Sequence, residues 1–389
     1  MRIGMIAQTY LPLLGGAEIH VANLSKFLKR AGHDVKIFTN TMCHDKHDDI
    51  GIAIERHQFS QGFIGMYKMY QKINDFTKDV DLIHSHYSHR LSALAGIISK
   101  HKKIPLIITL HGLGILDRPY LSLKPKIIHY FFRYISLKLS DMILATSKEL
   151  ASIAKRYVPP EKVRIIPNAV DTEYFSPSHI SESKIDDDIK NKIIIMTVRR
   201  LVPKNGVQYL IESIPYIIEK NNNVIFYYIG DGRMREYLVK RVHNLGVQSY
   251  VKFLGDIPNN KVKDYLNIAS LVVFPSTAES TSIACLEAMS MKKPIVASYV
   301  GAYPYLLGNN ERGILVKLFD SPASKYDAPL MLEKKRIKKL ADAILMLIDD
   351  IQLRKKLGEN GRCFVKQNHD WRIVSQKIIK IYDELLEKW

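Results

Sequence analysis

The sequence predicts an α/β protein of two domains, each built on a parallel sheet. Three observations carry this. The chain has 389 residues, and at roughly 100–200 residues per domain two domains are the leading expectation. Short apolar, strand-like runs alternate with stretches of helical period. That alternation breaks off at a polar segment and then begins again.

The elements follow in order. "RIGMIAQTY" at the start is a β-type run, and "LPLLGGAE" breaks it. Ala17, Val21, Leu24 and Leu28 then recur at helical spacing. "AGHDVKIFTN" supplies a glycine stop and a second strand. Further strands are expected at 81–86, 105–112, 142–147 and 163–168, with helical stretches between most of them. Strands alternating with helices imply right-handed βαβ units. The segment 168–191 is rich in Ser and Asp, carries Pro177, and reads as an interdomain linker. A second series follows at 192–198, 223–230, 251–255, 271–276 and 294–298. Trp371–Trp389 has the period of an amphipathic helix. The expected domains are 1–175, together with 371–389, and 190–370. No internal sequence repeat is evident.

Composition bounds the function. Apolar content is 47% and charged content 25%, as in ordinary globular proteins. The formal charge of +18 leaves two readings open: a Lys-rich composition of no special consequence, or attraction to an anionic partner. Lys and Arg are spread along the whole chain, and no zinc-finger spacing, RNA-binding aromatic signature or basic arm occurs, so nucleic acid is not expected as a partner. The three cysteines, Cys43, Cys285 and Cys363, are far apart and odd in number, which fits a reducing compartment. No stretch approaches the roughly 18 consecutive apolar residues of a membrane span. "MRIGMIAQTYLPLLGGAE" reads as a strand and loop rather than a signal peptide. A cytoplasmic protein, soluble or peripheral on a membrane, is expected.

The candidate chemistry sits at strand ends. Ligands of doubly wound sheets bind at the carboxyl ends of the strands. Gly15 and Gly16 follow the first strand, where glycine lets backbone approach a phosphate and a helix N-terminus offers free amides. The full G-x-G-x-x-G is lacking, which disfavours a dinucleotide site. Arg199, Arg200 and Lys204 follow the first strand of the second series and suit phosphate contact. In "AESTSIACLEAMSMKKPIVAS" (278–298), Glu279 lies in a strand-end loop, a helix begins near Ser282, and Glu287 lies inside it. The amides of Thr281, Ser282 and Ile283 would point at an anion. A carboxylate accepts two hydroxyl hydrogen bonds and suits a vicinal diol. Two carboxylates around an anion site describe phosphates flanked by sugars, which is a nucleotide-sugar.

The chain resembles a family 4 retaining glycosyltransferase of the GT-B fold: two Rossmann-like α/β domains facing a central cleft, with a C-terminal helix crossing back to the first. The E-x7-E pattern is Glu279 to Glu287. "YLPLLGGAEIHVANLSKFLKRAGHDV", "DLIHSH", "TLHG", "IIPNAVDTEYFSP", "YIGDGRMREYL" and "VKFLGDIPN" resemble the family's segments in the same order along nearly the whole chain. The resemblance implies that Glu287 holds the donor ribose, Glu279 the transferred sugar and Arg200 the diphosphate, with Gly16 close by. It implies that His111 lines the sugar pocket. Backbone near Asp256 and Ile257, beside Gly230 and Gly232, would read the base. It implies no cofactor and no metal, since cations and helix N-termini stabilise the leaving diphosphate. The implied mechanism is front-face attack through an oxocarbenium-like ion, with no protein nucleophile. The donor is a nucleotide-diphosphate sugar and the acceptor a glycan or a lipid-linked molecule.

The departures are specific. The family's Gly-Arg-Leu and Lys-Gly read here as Arg199-Arg200-Leu201 and Asn205-Gly206, so Lys204 or Arg199 must replace the usual phosphate lysine. Lys204 is the preferred candidate. The family's Gly-Gly-x-Pro-Glu is "GAYPY", with Tyr305 in place of the acid. Ser280, Thr281 and Ser282 stand where Gly-Phe-Gly is usual.

Other conspicuous groups read as incidental. "CHDKHDD" (43–49) and His84-x-His86-x-x-His89 look metal-like but follow strands rather than a helix face with zinc spacing. "DVD" (79–81) and "DDD" (186–188) match Asp-x-Asp only formally. In 63–76, Phe63, Met66, Tyr67, Tyr70 and Ile73 share one helical face, and 124–139 is similar. Each is either a buried core helix or an interfacial helix meeting anionic lipid. The rival to a transferase is a sugar-nucleotide-binding protein without transfer, or an epimerase on the same scaffold.

Overall fold

The computed structural model describes residues 1–13, 15–43, 51–60, 62–112, 123–178, 191–319 and 333–389, with side chains from 127 onward in the helix that begins at Leu123. "CHDKHDD" beyond Cys43, the "DDD" run and most of the polar segment 168–191 lie outside the described residues.

The chain divides into two units. One comprises Met1–Ala169 and Trp371–Trp389, the other Val170–Asp370. Val170 and Phe175 are buried in the second unit's core. The Val170 amide donates to the His369 carbonyl at 2.8 Å. Burial of these two side chains therefore sets the first boundary six residues before the expected 175.

In the first unit the strands are β1 (Arg2–Ala7), β2 (Asp34–Thr39), β3 (Ala53–Arg56), β4 (Leu82–His86), β5 (Leu106–Leu110), β6 (Met142–Ala145) and β7 (Val163–Ile165). They form one parallel sheet in the order β3-β2-β1-β4-β5-β6-β7. Period-2 alternation sends Ile3 and Met5 to one face and Ile6 to the other. Helices Gly16–Arg30 and Trp371–Leu386 cover the first face. In the latter, Trp371, Val374, Ile378, Ile381 and Leu385 are buried, so its apolar stripe fills that core. Helices Phe63–Phe76, Arg90–Lys102 and Leu123–Leu139 lie on the other face, with Arg90–Lys102 packed against both of the others.

In the second unit the strands are β8 (Ile193–Val198), β9 (Val224–Ile229), β10 (Val251–Gly255), β11 (Leu271–Phe274), β12 (Ile295–Ser298) and β13 (Ile314–Val316). Their order is β10-β9-β8-β11-β12-β13, again parallel. Helices cover both faces: Val207–Ile218 and Lys334–Asp349 on one, Ile283–Ser290 and Ile351–Asn368 on the other.

Both sheets reverse strand order once, between β1 and β4 and between β8 and β11. Chains leave the carboxyl ends of those paired strands toward opposite faces, which opens a crevice there. The topology thus places a candidate binding crevice on each unit.

Candidate functional site

On the second unit, the loops after β8 and β11 are stitched together. The Thr277 amide donates to the Lys204 carbonyl at 2.9 Å, and Thr277 Oγ1 donates to the same oxygen at 3.2 Å. Gly206, at φ +67°, turns the chain into its helix, and a Cβ there would strike the Pro275 carbonyl. Arg200 and Lys204 are exposed at the end of β8. Asn205 is buried and turned inward, its Nδ2 donating to the Arg200 carbonyl at 2.7 Å. The position that carries lysine in the resembled family is therefore a structural amide here.

Arg199 points away from its neighbour. Its Nη1 donates to Tyr303 Oη at 2.6 Å and to Ser276 Oγ, and its Nη2 pairs with Glu279 Oε2. The guanidinium also lies over the Phe274 ring, 5.5 Å from its centroid. Burial works against its charge, and Tyr303 and Glu279 overcome that to hold it protonated. Arg199 is committed to this network through Ser276, Tyr303 and Glu279. The Glu279 loop is pinned from behind by Gly301, whose φ of +53° and close approach to the Glu279 carbonyl admit no side chain.

Ser282 caps helix Ile283–Ser290, its Oγ accepting from the Cys285 amide at 3.3 Å. Thr281 and Ser282 are buried at that N-terminus, with Ile283 the first helical residue. Glu287 is 4% exposed. Asn259 Nδ2, at the start of helix Asn259–Ile268, donates to its Oε1 at 3.2 Å. Burial pushes the Glu287 carboxyl up to about 7, against the pull of that hydrogen bond. Asn259 follows closely on Asp256 and Ile257 at the end of β10, so these residues and Glu287 share one region. Gly230 has φ +119° and gives its amide to the Gly255 carbonyl at 2.7 Å, while the Asp256 carboxylate accepts from the Asp231 amide at 2.8 Å.

On the first unit, Gly15 is the extended N-cap of helix Gly16–Arg30, with no side-chain cap. Its amide end therefore lies at the carboxyl end of β1. His111 follows β5 directly and belongs to a group of imidazoles. His86 Nδ1 lies 3.1 Å from His111 Nε2. His20 Nδ1 lies 3.1 Å from Asn168 Oδ1. His84 bridges Tyr382 Oη at 2.6 Å and Thr109 Oγ1 at 2.7 Å. Burial lowers His20 to about 4 and His111 well below its ordinary value. His111 is thus a neutral imidazole near pH 7, fit for hydrogen bonding to a hydroxyl rather than for charge pairing.

Sequence reasoning missed Ser276, Tyr303, Asn259 and His20. "GAYPY" drew attention to Tyr305, which is exposed, whereas Tyr303 is the buried partner of Arg199. Asn259 carries no local signal; only the β10 loop brings it to Glu287.

Two family models match successive stretches of the chain. Glycosyltransferase Family 4 matches residues 14–174 and Glycosyl transferases group 1 matches residues 180–364. An uncharacterized glycosyltransferase of Methanocaldococcus jannaschii is 28% identical over 390 residues, 98% of each chain. An alpha-monoglucosyldiacylglycerol synthase of Acholeplasma laidlawii is 24% identical over 340 residues, 81% of this chain and 84% of that one. Among solved structures, Anabaena HepE in complex with UDP has a TM-score of 0.77 at 20% identity, covering 99% of this chain and 100% of that chain. With both halves matched in order and both sheets built alike, the chain belongs to the group 1, family 4 glycosyltransferases of the GT-B fold.

Proposed function

We propose that the protein moves a hexose-type sugar from a nucleotide-diphosphate sugar to a glycan or lipid-linked acceptor, with retention of configuration and no catalytic metal. The observation that carries this is Glu287: a buried carboxyl that accepts from Asn259 at the start of helix Asn259–Ile268, eight residues beyond Glu279. In this reading the Glu287 carboxylate accepts from the ribose hydroxyls. Arg200 and Lys204 meet the diphosphate, and Glu279, aimed by Arg199, accepts from the hexose. His111 hydrogen-bonds the hexose as a neutral ring. The C1–O bond to phosphate breaks, the acceptor oxygen bonds C1 on the same face, and the acceptor proton passes to a donor phosphate oxygen. No side chain serves as nucleophile. His111→Ala is expected to bind nucleotide as wild type does while transfer and donor hydrolysis both fall by at least roughly tenfold. Unchanged hydrolysis in that variant would favour a binding protein or an epimerase.

A lipid-linked acceptor draws support from the first unit's outer helices. Phe63 is 85% and Phe131 57% exposed, and Ile64, Tyr67, Ile127, Ile128, Tyr130 and Tyr134 are exposed with them. The exposed Lys68, Lys72 and Lys138 lie on the same two helices. Such a basic, aromatic surface suits an anionic bilayer. No described helix is long and apolar enough to cross a membrane. Binding would be peripheral, on the cytoplasmic face. The protein is expected to co-sediment with phosphatidylglycerol-containing vesicles and not with neutral ones, and Phe63→Ser/Phe131→Ser is expected to abolish this. Equal recovery with both vesicle types would remove the membrane from the account.

A further inference from the structure

We propose that His20, His86 and His111 form a binding site for a borderline divalent transition-metal ion, with zinc as the reference case, and that its occupancy inhibits the enzyme. One ring nitrogen from each residue lies within 4.8 Å of the others. Three imidazoles bound tetrahedrally at zinc–nitrogen lengths of about 2.0–2.1 Å place their ring centroids roughly 5.2 Å apart. Here the centroids are 4.6 Å apart for His20 and His111, 5.3 Å for His86 and His111, and 5.8 Å for His20 and His86. The two nitrogens of His86 and His111 that approach within 3.1 Å already span close to one tetrahedron edge.

His20 supplies the second argument. Asn168 Oδ1 accepts, so the proton sits on His20 Nδ1 and the lone pair on Nε2. That Nε2 is buried and has no hydrogen-bond partner, on a residue only 1% exposed. A buried nitrogen lone pair is costly unless something donates to it or binds it. The carboxamide on the opposite nitrogen is the arrangement that orients a histidine ligand toward a metal. An all-nitrogen, uncharged donor set favours zinc, cobalt, nickel or copper and disfavours magnesium and calcium, which prefer oxygen.

The inhibitory half rests on the role proposed above for His111. A nitrogen bound to metal no longer meets the hexose. Zinc would then act as a competitor of the sugar, not as a catalyst.

The test uses the untagged full chain. Cobalt titration of wild type is expected to give one tight equivalent with the intense visible spectrum of tetrahedral cobalt. His20→Ala and His86→Ala should each lose it, whereas His84→Gln, outside the ligand set, should keep it. Asn168→Ala should weaken binding by roughly 10–100-fold. Ring nitrogen shifts of His20 on zinc addition, read by nitrogen-15 resonance in wild type, need no variant. No tetrahedral cobalt spectrum in wild type, or its survival in His20→Ala, overturns the site. Zinc should also suppress transfer, reversibly with chelator, in wild type but not in His20→Ala, and magnesium should not. Tight zinc without inhibition overturns the inhibitory half. Because metal uptake is read without donor, failure of the transferase reading would register separately, as absent transfer in metal-free protein.

Discussion

Arg199→Ala is expected to destabilise the second unit by about 3–5 kcal/mol, because it leaves the Glu279 carboxylate buried without its cation. The Glu279 side chain is only 14% exposed. Burying a charge is tolerable when a partner and hydrogen bonds offset the lost hydration, and costly otherwise. Arg199 supplies the cation, and through Tyr303 and Ser276 it also holds its own donors in place. Urea unfolding with the second unit's signal resolved is the measurement. Adding Glu279→Gln to Arg199→Ala should recover much of the loss, since the remaining amide carries no charge. A loss under roughly 0.5 kcal/mol in the single variant, as at an ordinary surface position, would mean that the pair does not hold the loop.

Glu287→Ala is expected to weaken nucleotide binding by roughly a hundredfold or more, two hydrogen bonds to a charged group being worth about 1.5–3 kcal/mol each. The same carboxyl predicts a pH dependence. Its folded value, about 7, is raised above the ordinary 4.5. Between those values the folded state binds the extra proton. The stability contributed is therefore full below 4.5 and lost as pH rises through 7, amounting to about 3 kcal/mol. Glu287→Gln should flatten that slope. A ribose diol donates to the ionised form, so nucleotide affinity should rise with pH through this window. Binding below pH 7 should release a proton, visible by calorimetry in buffers of different ionisation enthalpy.

The long, apolar central strands were legible because a parallel sheet buries both strand faces, so β1, β5, β8, β9, β11 and β12 read as largely apolar runs. The edge strands β3 and β13 were not expected: Ala53–Arg56 has the burial pattern of a half-exposed strand, and Ile314–Val316 is three residues long. The helices Phe63–Phe76 and Leu123–Leu139 show the limit of periodicity. Their aromatic residues recur at helical spacing, yet Phe63, Tyr67 and Phe131 face outward while Met69 and Ile73 pack on the sheet. Pattern alone does not tell which stripe a neighbour covers. At the site, Glu279 and Arg200 stand out in the sequence as charged residues just past strand ends, Glu287 as a carboxylate in the helix that follows, and His111 through the family resemblance alone. The Arg199 network does not, since it joins the loop after β8 (Arg199), the loop after β11 (Ser276 and Glu279) and the start of the helix Tyr303–Leu307.

The proposed nucleotide-sugar site on the second unit needs no metal. It is tested most directly by thermal unfolding of wild type and Glu287→Ala with UDP, GDP, ADP and dTDP and their sugar conjugates in EDTA. A ligand at 100 times its dissociation constant stabilises a fold by about 2.7 kcal/mol, well within detection. One base series is expected to raise the wild-type melting temperature, and Glu287→Ala to lose the shift. No shift with any series, or a shift unchanged in Glu287→Ala, would contradict it.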